Sequence, residues 1–220
     1  MKITMVTSWT RNIEWFATAS IGGKRTYARR RGYNFVAVEG VFDTTRRPHW
    51  SKISLILAAL PHCDWVFWTD ADSFIVNHDL QLESYVDEGY DLIVSGDTLE
   101  PERFTFNMGN IFVKNSEWAR DFLLRCYAEY GGGGDEQPTV ERLYRESADV
   151  KEHIKIVPNA DFNVLWRAVD SRPVCREQLR FIVHFAGTQR YIPWLLEKTG
   201  FLEGICEKSA RDARRALPRR

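Results

Sequence analysis

Asp70, Ala71 and Asp72 follow directly on the apolar run Trp65-Val66-Phe67-Trp68 and Thr69. If the run is a strand and the chain stays extended beyond it, residues i and i+2 point the same way. Two carboxylates on one face repel unless a cation or a proton intervenes. Open α/β sheets bind ligands at the carboxyl ends of their strands. Placed there, the pair makes a seat for Mn²⁺ or Mg²⁺ bridging a diphosphate. The plainer role is capping a loop or the following helix. His184 ends a second apolar run, Phe181-Ile182-Val183. An imidazole at that place can complete a carboxylate metal site, and Mn²⁺ accepts nitrogen more readily than Mg²⁺. Gln189 and Arg190 lie just beyond, and a guanidinium there suits a diphosphate leaving group.

Two further segments carry usable groups. In Phe106-Asn107-Met108-Gly109-Asn110, Gly109 allows a close backbone approach to a ligand, and Asn107 offers a two-sided amide to sugar hydroxyls. The alternative is a plain turn before a strand. Asp135-Glu136-Gln137 follows four glycines. Carboxylates at a helix N-terminus are favoured by the dipole alone; otherwise they line an acceptor pocket under a glycine hinge.

The elements that must position these groups read as alternating strands and helices. Ile3 to Val6 suits a buried strand, Asn12 to Arg31 a helix stopped by Gly32, and Tyr33 to Val38 a second strand. A helix is expected over Trp50 to Leu60, a strand over Trp65 to Trp68, and a helix near Leu80 to Val86. Strands follow at Leu92 to Ser95 and Ile111 to Val113. The next helix, Glu117 to Tyr130, is capped by Asn115 or Ser116. Another opens at Asp135-Glu136-Gln137-Pro138, and late strands fall at Ile154 to Val157 and Phe181 to His184. This alternation predicts one α/β domain with a mixed, mostly parallel central sheet.

Composition narrows the function. The 220 residues are 44% hydrophobic and 27% charged, which suits a packed domain. Thirty basic residues balance thirty acidic ones, so the basic excess of a nucleic-acid binder is missing. Cys63, Cys126, Cys175 and Cys206 are widely spaced and form no C-x-x-C pair, which argues against a zinc knuckle or a disulfide framework. The first residues look like a strand and no run reaches the length of a membrane span. A cytoplasmic protein with free thiols is expected. The arginine-rich tail, residues 201–220, is either a solvated end or a peripheral contact with the anionic inner face of a membrane.

In chain order the motifs are Trp50-Ser51-Lys52, Trp65 to Asp72, Phe106 to Asn115, Asp135-Glu136-Gln137 and His184-Phe185-Ala186-Gly187. The set resembles the retaining family of fungal galactosyltransferases and mannosyltransferases and plant xyloglucan xylosyltransferases, glycosyltransferase family 34. A cousin likeness to the glycogenin-like transferases runs from His184 to Trp194. The resemblance implies a GT-A fold, a single Rossmann-like nucleotide-sugar-binding domain over residues 1–200. Its nucleotide-binding half would run to about residue 105 and its acceptor half onward from 106. It implies Asp70, Asp72 and His184 as ligands of Mn²⁺ or Mg²⁺. It places Thr7, Ser8, Trp50, Lys52, Asp70, Asn107, Gly109, Gly187 and Arg190 on the donor, and Asp135, Glu136 and Gln137 at the reacting carbon and acceptor.

The chain departs from the pattern at Glu136, where the family usually has Asp, and at Gln189, where the xylosyltransferases have Lys; the glycogenin-like Lys aligns with Arg190. The expected partners are a nucleotide-sugar donor, UDP-sugar ahead of GDP-mannose, and a glycan or lipid-linked acceptor. The eukaryotic relatives are membrane-anchored, whereas no run in this sequence reads as an anchor, so a bacterial or viral enzyme of the cytosol is expected. Two rivals share the paired carboxylates: a metal-dependent phosphohydrolase or nucleotidyltransferase, and an inactive sugar-binding relative.

Overall fold

In the computed structural model of the chain, residues 1–97, 102–132, 134–165 and 181–187 are described, apart from the side chains at 15, 16 and 160. Six strands form the central sheet: β1 (Ile3–Trp9), β2 (Asn34–Glu39), β3 (Trp65–Thr69), β5 (Leu92–Gly96), β6 (Phe106–Lys114) and β7 (Ile154–Val157). Their order is β2-β1-β3-β6-β5-β7. β1 runs parallel to β2 and β3, and β5 parallel to β7, while β6 is antiparallel to both of its neighbours. The sheet is therefore mixed and mostly parallel, as the alternation predicts.

The strands alternate their side chains between two cores. On one face Val6, Val66, Trp68, Val94 and Ile111 pack with Ile53 and Ile56 of α2 (Ser51–Ala59), Leu123 of α3 (Glu117–Ala128) and Val140 of α4 (Gln137–Glu146). On the other, Ile3, Met5, Trp65, Phe67, Ile93 and Phe112 pack with Tyr27 and Ala28 of α1 (Glu14–Arg31) and Phe162 of α6 (Asn159–Phe162). A short α5 (Ala148–His153) leads into β7. α1 stops where Gly32 takes a left-handed φ of 78°, a conformation cheap only for glycine. Ser116 caps α3 by accepting from the Ala119 N–H.

A second sheet of three short strands, β4 (Ser73–Ile75), β9 (Ile182–His184) and β8 (Val164–Leu165), has the order β4-β9-β8. β4 and β9 are antiparallel with Ser73 opposite His184. That register sets the histidine beside the segment that precedes β4.

Three local expectations differ. The segment near Leu80 to Val86 forms only a 3₁₀ turn, Leu82–Tyr85. Tyr27 donates to the Leu80 carbonyl at 2.8 Å, an acceptor that a helix would use, and the Leu82 N–H donates to the Tyr33 hydroxyl at 3.0 Å. The stretch from Phe106 to Asn110 is the first half of β6 and no turn. It pairs with β5 across a register shift at Val94/Ser95. Finally, β3 ends at Thr69, and Asp70 to Ser73 is a tight turn in which the Ser73 N–H donates to the Asp70 carbonyl at 3.0 Å. The pleat of an extended strand therefore does not bring the two aspartates together; the turn does.

Candidate active site

The turn after β3 and the end of β9 bring Asp70, Asp72 and His184 to one point. One ligand atom from each lies within 4.8 Å of the others. His184 Nε2 is 3.2 Å from Asp72 Oδ1 and 3.8 Å from Asp70 Oδ2. Asp72 and His184 are buried and Asp70 is half-buried.

The imidazole is oriented from behind. Its Nδ1 lies 3.0 Å from Asn163 Oδ1, an oxygen that also accepts from Asn110 Nδ2 at 2.6 Å. The amide NH₂ of Asn163 donates to Ser95 Oγ at 2.8 Å and to Asn107 Oδ1 at 3.0 Å. With the amide fixed this way, Nδ1 carries the proton and the Nε2 lone pair faces the carboxylates, the usual arrangement of a metal-ligating histidine. Gly109 supplies the room. A Cβ built there would lie 2.0 Å from His184 Cε1. Two carboxylates and one inward imidazole lone pair are a donor set that suits Mn²⁺ or Mg²⁺.

The turn itself is held on three sides. The Asp70 N–H donates to the Gly109 carbonyl at 2.7 Å and the Phe185 N–H to the Asp72 carbonyl at 3.1 Å. From α1, Lys24 Nζ donates to the Asp70 carbonyl at 2.5 Å. Trp68 Nε1 donates to Asp70 Oδ1 at 2.6 Å and so fixes that carboxylate's rotamer.

Lys52, on α2, links this group to the next. Its buried ammonium contacts Glu136 Oε1, donates to the Met108 carbonyl at 2.8 Å, and lies 3.4 Å from Asp70 Oδ1. Burial works against its charge, but Asp70 and Glu136 outweigh burial and raise its pKa. Glu136 is also buried, and its second oxygen, Oε2, has no hydrogen-bond partner. Gln137 Oε1 accepts from the Met108 N–H at 3.1 Å. Asp135 pairs with His49 at 3.0 Å, which raises the histidine pKa and lowers that of the aspartate.

Two cavities meet over these residues. One, of about 220 Å³, lies at the carboxyl end of β1 against Ser8, Trp9, Thr10, Gly40 and Pro48. The other, of about 440 Å³, lies against Asp97, Phe104, Asn107, Gly109, Glu136, Gln137, His184 and Gly187. His49, Lys52, Asp70 and Asp72 line both. Most residues singled out from the sequence thus fall on one continuous cleft. Thr7 and Trp50 do not: each is buried and lines neither cavity. Trp50 donates from Nε1 to the Gly134 carbonyl at 3.1 Å, tying α2 to the glycine loop. Gly109 is occupied by the His184 ring. Arg190, Gln189 and the basic tail lie outside the described residues.

Sequence reasoning missed Asn163 and Lys24. Asn163 sits in an irregular stretch without a pattern to read. Lys24 had a signal: it lies on the inward face of α1 with Ala17, Ser20, Ile21, Tyr27 and Ala28, all buried, where i, i+3, i+4 spacing calls for apolar residues.

Comparison with known proteins supports the family likeness. Residues 3–93 match the galactosyl transferase GMA12/MNN10 family. The span includes Trp50-Ser51-Lys52 and Trp65 to Asp72. A probable alpha-1,6-mannosyltransferase, MNN10, of Saccharomyces cerevisiae is 23% identical over 72% of this chain and 50% of its own length. An alpha-1,2-galactosyltransferase of Schizosaccharomyces pombe is 23% identical over 78% of this chain and 56% of its own. The chain thus spans about half the length of these curated relatives. Among solved structures, a glycosyltransferase involved in glycosylation of the major capsid of PBCV-1 superimposes with a TM-score of 0.72 at 17% identity, covering 90% of this chain and all (100%) of that one. The galactosyltransferase LgtC, solved with donor and acceptor sugar analogs, gives 0.55 at 13% identity over 99% and 97% of the two chains. The fold is that of the GT-A glycosyltransferases. Among the described residues, no helix is long and apolar enough to cross a membrane.

Proposed function

We propose that the chain is a metal-dependent retaining glycosyltransferase that moves a hexose or pentose from a nucleotide-diphosphate sugar, a UDP-sugar ahead of GDP-mannose, to a hydroxyl of a glycan or glycolipid. One observation carries the reading: Asp70, Asp72 and His184 converge where two cavities meet on a GT-A sheet. The GMA12/MNN10 match and the named mannosyl- and galactosyltransferase relatives support the same class.

In this reading residues 1–105 form the nucleotide-binding half and residues 106–200 the acceptor half. The nucleotide lies in the smaller cavity, against Ser8 and beside Lys52. The sugar and acceptor share the larger one, with Asn107 and Gln137 offering amides to hydroxyls. Asp70, Asp72 and His184 hold Mn²⁺ or Mg²⁺; when bound, the ion offsets negative charge on the departing diphosphate. Lys52 adds a fixed cation on the same side, and Arg190 is assigned to the diphosphate as well. The acceptor hydroxyl enters on the leaving-group face: its oxygen bonds to the anomeric carbon as the bond to the diphosphate breaks, and its proton passes to an oxygen of the departing diphosphate, so retention follows from that approach. Retention itself rests on the family resemblance. Glu136, with one oxygen held by Lys52 and the other unpartnered, borders the reacting carbon; Asp135 sits at its edge.

The test is donor turnover. The protein is incubated with a panel of UDP- and GDP-sugars, in Mn²⁺ and in EDTA, and released nucleoside diphosphate is quantified. Mn²⁺-dependent release from one donor is expected. Asp72→Asn should lose at least roughly 10²-fold of that activity, the scale of a lost electrostatic contact in the transition state. Phosphate or pyrophosphate release without sugar transfer would favour a phosphohydrolase and sink the proposal.

A further inference from the structure

We propose that Lys24 is a positioning residue of the metal site: together with Ser20 it ties the Asp70–Ser73 turn to α1, so that both carboxylates face His184 before any cation arrives. The inference rests on the assignment of Asp70, Asp72 and His184 as the ligands of a divalent cation.

Lys24 is 0% exposed, on the face of α1 that packs against β4 and the turn. A lysine that deep is costly unless its amine is used. Its amine donates to the main-chain carbonyl of a candidate metal ligand, Asp70, at 2.5 Å. One turn earlier on the helix, Ser20 Oγ donates to the Ser73 carbonyl at 2.6 Å. The two donors therefore grip the two ends of the same four-residue turn. The turn is where the carboxylates acquire their direction, because the strand has already ended at Thr69.

A packing role alone would be served by an apolar side chain, as at Ile21. Burial outweighs the opposing pull of Asp72 and Asp70 and leaves the Lys24 pKa lowered to about 7. The tether does not depend on the outcome, since an amine and an ammonium both donate to a carbonyl. Without the tether, the turn keeps its bonds to Gly109, Phe185 and Trp68 but loses both of its ties to α1, and the repulsion between the two like charges is less opposed. With it, the cation meets ligands already aimed, and the cost of ordering them falls in folding and not in binding.

The experiment is Mn²⁺ titration of the full chain, followed by loss of the free-ion electron paramagnetic resonance signal, in wild type, Lys24→Met, Ser20→Ala and Asp72→Asn. Metal-free melting temperatures are measured in parallel. The wild type is expected to bind and Asp72→Asn to lose binding. Lys24→Met should weaken Mn²⁺ affinity by roughly 10–100-fold, the usual effect of removing a group that orients a ligand, and Ser20→Ala by less. Loss of a positive charge near the site works in the opposite direction and tightens cation binding, so weakening points to the lost tether. A role confined to packing would lower the melting temperature and leave the affinity of the folded protein unchanged. Wild-type affinity in folded Lys24→Met overturns the inference. If Lys24→Met does not fold, Ser20→Ala decides in the same way. If wild-type protein binds no Mn²⁺, the metal assignment falls and the inference with it. If wild type binds, Asp72→Asn does not, and both tether variants bind normally, only the inference falls.

Discussion

Gly109→Ala is the sharpest single perturbation of the site. The added methyl would sit 2.0 Å from His184 Cε1, 2.5 Å from Nδ1 and 2.8 Å from Nε2. Ordinary contact begins near 3.4 Å, so the ring must retreat by about 1.4 Å. The glycine lies in β6 at the register shift opposite Val94/Ser95, and its backbone is held there by the Asp70 N–H on its carbonyl at 2.7 Å and by its own N–H donating to Asn107 Oδ1 at 2.9 Å, so the imidazole gives way first. That retreat breaks the 3.0 Å contact of Nδ1 with Asn163 and takes Nε2 out of line with Asp72. The hydrogen bond is worth about 1 kcal/mol, and overpacking a tight core adds roughly 1–3 kcal/mol. A misplacement of about 1 Å in a catalytic constellation costs on the order of 10²-fold in rate. The assays are chemical denaturation, Mn²⁺ titration and donor turnover. The variant should be folded, less stable by roughly 2–4 kcal/mol, and at least tenfold weaker for Mn²⁺. In a His184→Ala background the same substitution should cost much less, because the ring it strikes is gone. Gly109→Ala with wild-type Mn²⁺ affinity would refute the claim that this glycine exists for the histidine.

Two further substitutions probe the charges around the cleft. Lys52→Met leaves the Glu136 carboxylate buried without its cation and should cost roughly 3–5 kcal/mol in denaturant unfolding; Lys52→Met with Glu136→Gln should recover much of it. His49→Gln tests the rim pair with Asp135. Its raised histidine pKa contributes stability that is fully present below the unfolded value, about 6.5, and is lost as pH rises through the folded value. The lowered Asp135 pKa contributes stability present above about 3.9 and lost as pH falls through the folded value. The melting-temperature gap between wild type and His49→Gln should therefore be widest near pH 5 and narrow toward pH 8; a gap that widens with pH would exclude the pair as its source.

Much of this arrangement was legible because each motif sits where an element ends. The apolar run of Trp65 to Thr69 marks β3 and hence the place of Asp70 and Asp72. The run before His184 marks β9. What could not be read was how the groups reach one another. Extended geometry put the two aspartates on one face, whereas in the structure they converge through a turn that a lysine and a serine from α1 hold. Gly109 looked like room for a ligand, and the room is filled by His184. Phe106 to Asn110 looked like a turn because asparagine and glycine are turn residues; pairing with β3 and β5 overrides that preference. Asn163 gave no signal, because its role is set by four groups remote in sequence.

The antiparallel register of Ser73 with His184 ties the cleft to the order of folding. Among the described residues, Asp72 and His184 are separated by α3 through α6 and the five strands β4 to β8, so their approach closes a long loop, and such contacts are entropically late. The unfolded chain therefore holds no preassembled ligand set, and a cation that binds there binds the finished fold. By mass action, free ion at a hundredfold above its dissociation constant would add about 2.7 kcal/mol to unfolding. The same three side chains would then act as a clasp across the two sheets, drawn shut when the ion is present and loosened when a chelator takes it away.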